Sequence, residues 1–274
     1  MDKTLTTIAA GLFSKLEYTW RILITGCGFL IFGIGSIFLS MTIFPLMALS
    51  IRDKQKCYQL TQKIIQKSFQ LFLDTLSLFN VLSYCFKDME NLRKDHGTII
   101  VANHPSLLDF IFIASCMPRC DCIVKKALFN NIFLKGIVKA AGYIPNNNAE
   151  TLLNSCQEKL KKSGTLLIFP EGTRSKAGVP ITLQRGVANI ALRTKSDIRL
   201  VTVYCTYPIL SKEQKWYHIP PKKPKFVITT HQKLHIHDFI SDNNRTATDA
   251  RNLTDYLQKQ LNNHIEQIKQ MEKS

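Results

Sequence analysis

The feature that most limits what this chain can become lies between Arg21 and Arg52, where "ILITGCGFLIFGIGSIFLSMTIFPLMALSI" passes without one charged side chain. About 20 apolar residues are enough to cross a bilayer as a helix, so a run of this length is expected to meet lipid. It is too long for the apolar part of a cleaved signal peptide, and a polar-rich segment precedes it. A buried core helix of a soluble protein is a poor account of it. Two membrane forms remain open: a single crossing, or a shallow re-entrant pair of helices bent at Gly26, Gly28, Gly33, Gly35 and Pro45. Arg52, Lys54, Lys56, Lys63 and Lys67 follow the run, against Lys3, Lys15 and Arg21 before it. That asymmetry places the C-terminal bulk on the cytoplasmic face of the inner (plasma) membrane.

Charge points the same way. The 274 residues hold 36 Lys+Arg against 20 Asp+Glu, a formal net charge of +16. Such a surplus favours an anionic partner: a membrane surface, a phosphorylated substrate or nucleic acid. No RNP-like aromatic motif, zinc finger or basic helix repeat accompanies it, so nucleic acid is not expected. A membrane-tethered binder of an anionic polymer is the rival of another class. The basic loop "IPPKKPKF" (219–226) suits contact with anionic headgroups. Eight scattered cysteines suggest reduced thiols on the cytosolic side. Cys116, Cys120 and Cys122 lack a second ligand pair at zinc-site spacing, and His231, His235, His237 and Asp238 fit a strand end and loop better than a metal site. No metal is expected.

Four regions follow from the pattern: a tail and membrane-embedded segment (1–51), a connecting helical layer (52–96), an α/β domain (97–245) and a C-terminal amphipathic helix (246–274). Leu60, Ile64, Ile65, Phe69, Phe72, Leu73 and Leu76 recur at three- and four-residue steps, which predicts helix over 52–90. Strands are expected at 98–103, 121–124, 142–145, 165–169, 200–206 and 225–230. Helices are expected at 107–116, 130–140, 149–161 and 186–193, with a last one near 247–271. This alternation implies an αβα sandwich around a largely parallel sheet.

Directly after the first of these strands comes "NHPSLLD", Asn103 to Asp109. A histidine takes a proton near neutral pH, and a carboxylate can orient its ring and stabilise its charged form. Equally, Ser106 and Asp109 fit the capping box that closes a helix N-terminus. The loop after "TLLIF" offers a partner site, because ligands of open α/β sheets gather beyond the carboxyl ends of strands. There Gly172 permits a tight turn, Thr173 adds a hydroxyl, and Arg174 presents a fork of donors suited to a phosphate. No G-x-S-x-G elbow marks Ser106 or Ser175 as a hydrolase nucleophile.

These residues resemble the glycerolipid acyltransferases, which include the 1-acylglycerol-3-phosphate acyltransferases. The family's N-H-x4-D motif stands here as "NHPSLLD", and its acceptor-binding motif stands intact as "FPEGTRS", Phe169 to Ser175. The resemblance covers roughly residues 97–207. It implies that His104 and Asp109 are a catalytic dyad, and that Asn103, Lys125, Glu171, Gly172, Thr173, Arg174 and Arg185 bind substrate. It also implies transfer of an acyl chain from an acyl-CoA or acyl carrier protein thioester to a hydroxyl of a lysophospholipid such as 1-acylglycerol-3-phosphate, with no cofactor. Two blocks depart from the family. Asn146 to Asn148 stand where an arginine is expected, and "IRLVTVY" replaces a proline-bearing V-P-I-V-P-V. The "YIPNNNAE" variant is similar to members of specialised lipid or polyene pathways, which implies as an alternative a carrier-protein donor and an acceptor other than a phosphatidate precursor.

Overall fold

The computed structural model describes residues 2–131, 134–176, 178–241 and 246–272, with backbone alone for 2–14. The uncharged run does not fold into two re-entrant helices. Helix α1 (Asp2–Phe38) continues through a π-helical stretch (Leu39–Ile43) into α2 (Phe44–Ser50), forming one nearly unbroken rod. Pro45 sits in the first turn of α2, where its missing N–H costs nothing, and the widened turn precedes it. Lys15–Ser50 is long and apolar enough to cross a membrane.

The rod has two different faces. Its inner face packs on helix α3 (Lys54–Leu78), whose N-terminus is capped by the Asp53 carboxylate. The rings of Phe29 and Phe32 lie 6.3 and 4.9 Å from that of Phe72, and Phe32 stacks on Phe69 at 6.0 Å. The outer face leaves Leu23, Leu30, Ile31, Ile34, Phe38, Met41, Leu46 and Leu49 exposed. Contiguous apolar exposure on this scale marks a surface made for another apolar phase.

The chain then departs from the helix expected to reach residue 90. It turns at Asn80, which has φ +64°, into strand β1 (Ser83–Lys87) and a short α4 (Met89–Lys94). The cause is an alternation that the helical reading passed over. Tyr84 and Phe86, two positions apart, place both rings against Phe112, at 5.6 and 6.4 Å.

The remaining strands are β2 (Ile99–Ala102), β3 (Asp121–Lys125), β4 (Ile144–Asn146), β5 (Leu166–Ile168), β6 (Ile198–Cys205) and β7 (Lys225–Leu234). Helices α5 (Asp109–Cys116), α6 (Lys135–Ala140), α7 (Ala149–Lys161), α8 (Gly186–Thr194) and α9 (Thr246–Met271) flank them. The helix expected at 130–140 includes residues 132 and 133, which lie outside the described residues, as does the expected domain end at residue 245. The seven strands form one sheet in the order β1-β7-β6-β2-β5-β3-β4, and only the β6–β7 pair is antiparallel. The fold is the α/β sandwich with a largely parallel sheet that the alternation implied.

Side chains along each central strand divide between two cores, as the pleat requires. Ile100, Ala102, Leu167, Val201 and Val203 join the core under α3 and α5. Ile99, Val101, Leu166, Ile198 and Leu200 join the one under α7, α8 and α9. Phe72 is the joint between the rod and the first of these cores. Phe72→Ala should therefore cost about 3–5 kcal/mol, the usual range for a buried ring, and loosen α1 from α3. Denaturant unfolding in detergent measures it, and a loss below about 1 kcal/mol would show that the rod docks by other contacts.

Candidate active site

Strands β2 and β5 lie side by side and parallel, with Ile99 opposite Leu166 and Val101 opposite Ile168. The chain therefore leaves both at the same sheet edge, which brings His104 beside the loop from Phe169 to Ser175. The two loops extend the contact past the strands. His104 C=O accepts the Ser175 N–H at 2.7 Å, and the His104 N–H donates to Glu171 Oε1 at 2.8 Å. Ser175 Oγ donates to the other Glu171 oxygen at 2.7 Å. Glu171 is thereby a brace across the cleft, and burial pushes its carboxyl up from its ordinary value.

The imidazole of His104 is held at one nitrogen and on one face. Its Nδ1 lies 2.9 Å from Asp109 Oδ2, and its ring stacks on Phe169 at 4.3 Å and 24°. The side chain is 20 % exposed, and among the described residues Nδ1 alone is bonded, so Nε2 faces outward. Asp109, the first residue of α5, is fully buried. The same Oδ2 also accepts the Ser106 N–H at 2.7 Å, and the Ser106 hydroxyl accepts the Leu108 N–H at 3.3 Å, in the turn that precedes α5. One carboxylate oxygen therefore holds both the ring and the backbone of the turn before α5. Burial pushes Asp109 up to about 6, against the pull of the His104 hydrogen bond. A neutral imidazole held this way donates Nδ1–H to Asp109 and keeps a lone pair on Nε2, the arrangement of a general base.

The remaining expected residues fall into different situations. Asn103 is buried, and its side chain exchanges two 2.8 Å hydrogen bonds with the Val203 backbone, so it pins the end of β2 to β6 instead of facing a ligand. Gly172 has φ +71°, and a Cβ there would lie 2.8 Å from Gln184 Nε2, so the turn needs glycine. Arg174 donates from one Nη to the carbonyls of Leu210 at 2.7 Å and Ser211 at 3.1 Å; its other edge has no partner among the described residues. Thr173 is exposed at the mouth. Lys125 ends β3 beside Asn146, and Arg185 precedes α8; both are exposed, with no contact to the dyad among the described residues. Phe169, Ser175 and the Leu210 carbonyl are site components that the sequence reading missed. The first two lie inside the quoted motif, while nothing in the sequence announces a backbone carbonyl.

The histidines set aside earlier are elsewhere. His231 stacks on His264 at 3.6 Å with Nε2 2.9 Å from the Thr202 hydroxyl, and His235 faces Asp197. All eight cysteines are free thiols.

The family model for Acyltransferase matches residues 83–206, the stretch that contains both motifs and begins at β1. That stretch, a little under half of the chain, is similar to the Acyltransferase family. A chloroplastic 1-acyl-sn-glycerol-3-phosphate acyltransferase of Arabidopsis thaliana is 27% identical over 142 residues, 50% of this chain and 40% of that one. The 1-acyl-sn-glycerol-3-phosphate acyltransferase of Helicobacter pylori is 40% identical over 86 residues, 29% of this chain and 36% of that one. The match thus spans well under two thirds of either relative. The solved structure of PlsC, a 1-acyl-sn-glycerophosphate acyltransferase of Thermotoga maritima, superposes with a TM-score of 0.71 at 21% identity, over 92% of this chain and 98% of that one. At that identity the likeness concerns the fold.

The buried carboxylate of the acyltransferase motif has a consequence for stability. A carboxyl whose folded value lies above its unfolded one stabilises the fold below its ordinary range, and that contribution is lost as pH rises through about 6. Asp109→Asn cannot titrate. Its melting temperature should accordingly gain on the parent's as pH rises from about 4 to about 6, by a difference worth about 2–3 kcal/mol. Thermal scans of both proteins across that range read this directly; a constant gap would mean that Asp109 does not titrate there.

Proposed function

We propose that the chain is a membrane-bound O-acyltransferase that moves an acyl group from a CoA or carrier-protein thioester to the free hydroxyl of 1-acylglycerol-3-phosphate. The observation that carries this reading is the free Nε2 of an imidazole whose Nδ1 is held by a fully buried carboxylate. His104 takes the acceptor hydroxyl's proton as that oxygen bonds to the thioester carbonyl carbon. The C–S bond then breaks, and the proton passes to the departing thiolate. Asp109 keeps the ring in the productive tautomer and stabilises the imidazolium while it lasts. No acyl-enzyme is required, since the acceptor is itself the nucleophile.

The unbonded edge of Arg174 is the group to hold the acceptor phosphate, because a guanidinium matches an oxyanion with paired donors. Membrane residence is read from the apolar outer face of the rod, which runs along the domain's side. A helix packed over so much of its length on the catalytic domain suits immersion in one leaflet, with the domain on the cytoplasmic side and Arg52, Lys54, Lys63 and Lys67 at headgroup level.

The test is release of free thiol and formation of diacylated product in vesicles. His104→Ala should lower turnover by about 10²–10⁴-fold at saturating substrates, with membrane partition unchanged. Turnover near that of the parent would sink the mechanism. The parent's rate should also fall as pH drops through about 6, where Asp109 takes up a proton. Arg174→Ala should lower kcat/KM for the phosphate-bearing acceptor by roughly tenfold to a hundredfold, and for an acyl glycerol without phosphate far less. Equal losses on the two acceptors would assign Arg174 a bracing role alone. Product formed only from phosphate-free acceptors and a carrier-protein thioester would favour the specialised-pathway reading instead.

A further inference from the structure

We infer that helix α1 is a template for the acceptor end of the active site: Arg21 and Gly26 seat the loop 207–224, and that loop's Leu210 carbonyl aims Arg174. This rests on the acyl-transfer reading of the site.

Arg21 is the residue that calls for an explanation. It opens the uncharged run, yet its side chain is only 1 % exposed. Its Nη2 donates to the Pro221 carbonyl at 2.7 Å. Its Nε lies 3.8 Å from Glu17 Oε1, beyond hydrogen-bond reach, and among the described residues neither Nε nor Nη1 has a hydrogen-bond partner. Burying a guanidinium so sparsely bonded is costly, so the Pro221 contact is where its donor capacity goes. Five residues further along the helix, Gly26 gives Trp216 its seat: a Cβ there would lie 3.1 Å from the indole. At a third place Thr25 and Phe29 line, with Leu108, Ile209 and Leu210, a void of about 10 Å³, too small to admit a water with ease. The loop is therefore cast against α1 at three successive places, two of them made by a donor and a missing side chain.

At its inner end the same loop meets the chemistry. Leu210 has φ +54°, a backbone state that L side chains rarely adopt, and it points its carbonyl into the site. That one oxygen accepts the Leu107 N–H at 3.2 Å and an Arg174 Nη1–H at 2.7 Å. Leu107 lies in the turn that joins His104 to Asp109, and Ser211 supplies a second carbonyl to the same Nη1 at 3.1 Å. Two carbonyls on one nitrogen fix the plane of the guanidinium and leave its opposite edge for a ligand. Moving the loop turns that plane. Arg21 is thus a positioning residue: it touches no substrate and acts through Pro221, Leu210 and Arg174.

The experiment uses the full chain in vesicles and in detergent. Arg21→Met keeps the length of the side chain and removes the donors, Arg21→Lys keeps one donor, and Trp216→Ala empties the seat on Gly26 from a partly exposed position that is safe for folding. Arg21→Met and Trp216→Ala should each raise the acceptor KM about tenfold, a common scale for a displaced positioning group, with the donor KM and membrane partition unchanged. Arg21→Lys should recover most of the loss. Trypsin should cut the loop at Lys212 and Lys215 faster in the first two variants than in the parent. Parent-like acceptor KM and parent-like trypsin resistance in both variants would overturn the inference, as would a rise shared equally by donor and acceptor. A parent protein inactive on lysophosphatidic acid with either thioester would instead refute the function proposed above. The trypsin comparison would then still decide whether α1 seats the loop.

Discussion

The parallel pairing of β2 with β5 is the constraint on which the site depends. His104 and Glu171 are 67 positions apart, and only side-by-side strands running in one direction deliver both to one edge. Past the strands, peptide and carboxylate hydrogen bonds carry the pairing on, so the two loops continue the sheet's contact beyond its edge. Such a device puts precision where loops ordinarily lack it. The imidazole then needs no mobile partner: Phe169 covers one ring face, Asp109 holds one nitrogen, and the backbone is clamped on both sides.

Much of this was legible because the relevant signals are local. Apolar runs between helical periods gave six of the strands and the sandwich, and the dyad residues sit within one turn's reach of each other in the chain. β1 was not legible as a strand, since the strong helical period of α3 runs up to Leu78 and masks a short alternation at Tyr84 and Phe86. The part played by Asn103 was also hidden. An asparagine beside a catalytic histidine reads as a ligand contact, and only the neighbouring β6 reveals that Val203 uses both ends of its amide. Arg174 is a mixed case: its fork was evident, but not that half of it is bound by carbonyls 36 and 37 residues away.

The two faces of the α1–α2 rod explain a pattern that composition alone presents as uniform. Every residue from Ile22 to Ile51 is uncharged, yet half of the helix touches protein and half does not. On the inner side Phe29, Phe32 and Gly28 meet α3. Leu30, Ile31, Ile34, Phe38 and Leu49 lie on the outer one. Shape matters inside, where packing density is high, and bare hydrophobicity is enough outside.

The far edge of the sheet sets an order of events as the chain is made. Among the described residues β1 pairs with β7 alone, Ser83 against Lys225, and Arg21 finds its carbonyl at Pro221. Ribosomes add about 5–20 residues per second, so roughly 10 s or more separate the appearance of the rod from that of its partners. Throughout that interval the inner face of the rod has only α3 to lie against, and its outer face has nothing of its own chain. The nascent segment thus meets its surroundings as a bare apolar hairpin of two helices long before there is a catalytic domain to carry. The segment that reaches back to the first helix, at Pro221, is the loop that leads into the last strand to be synthesised.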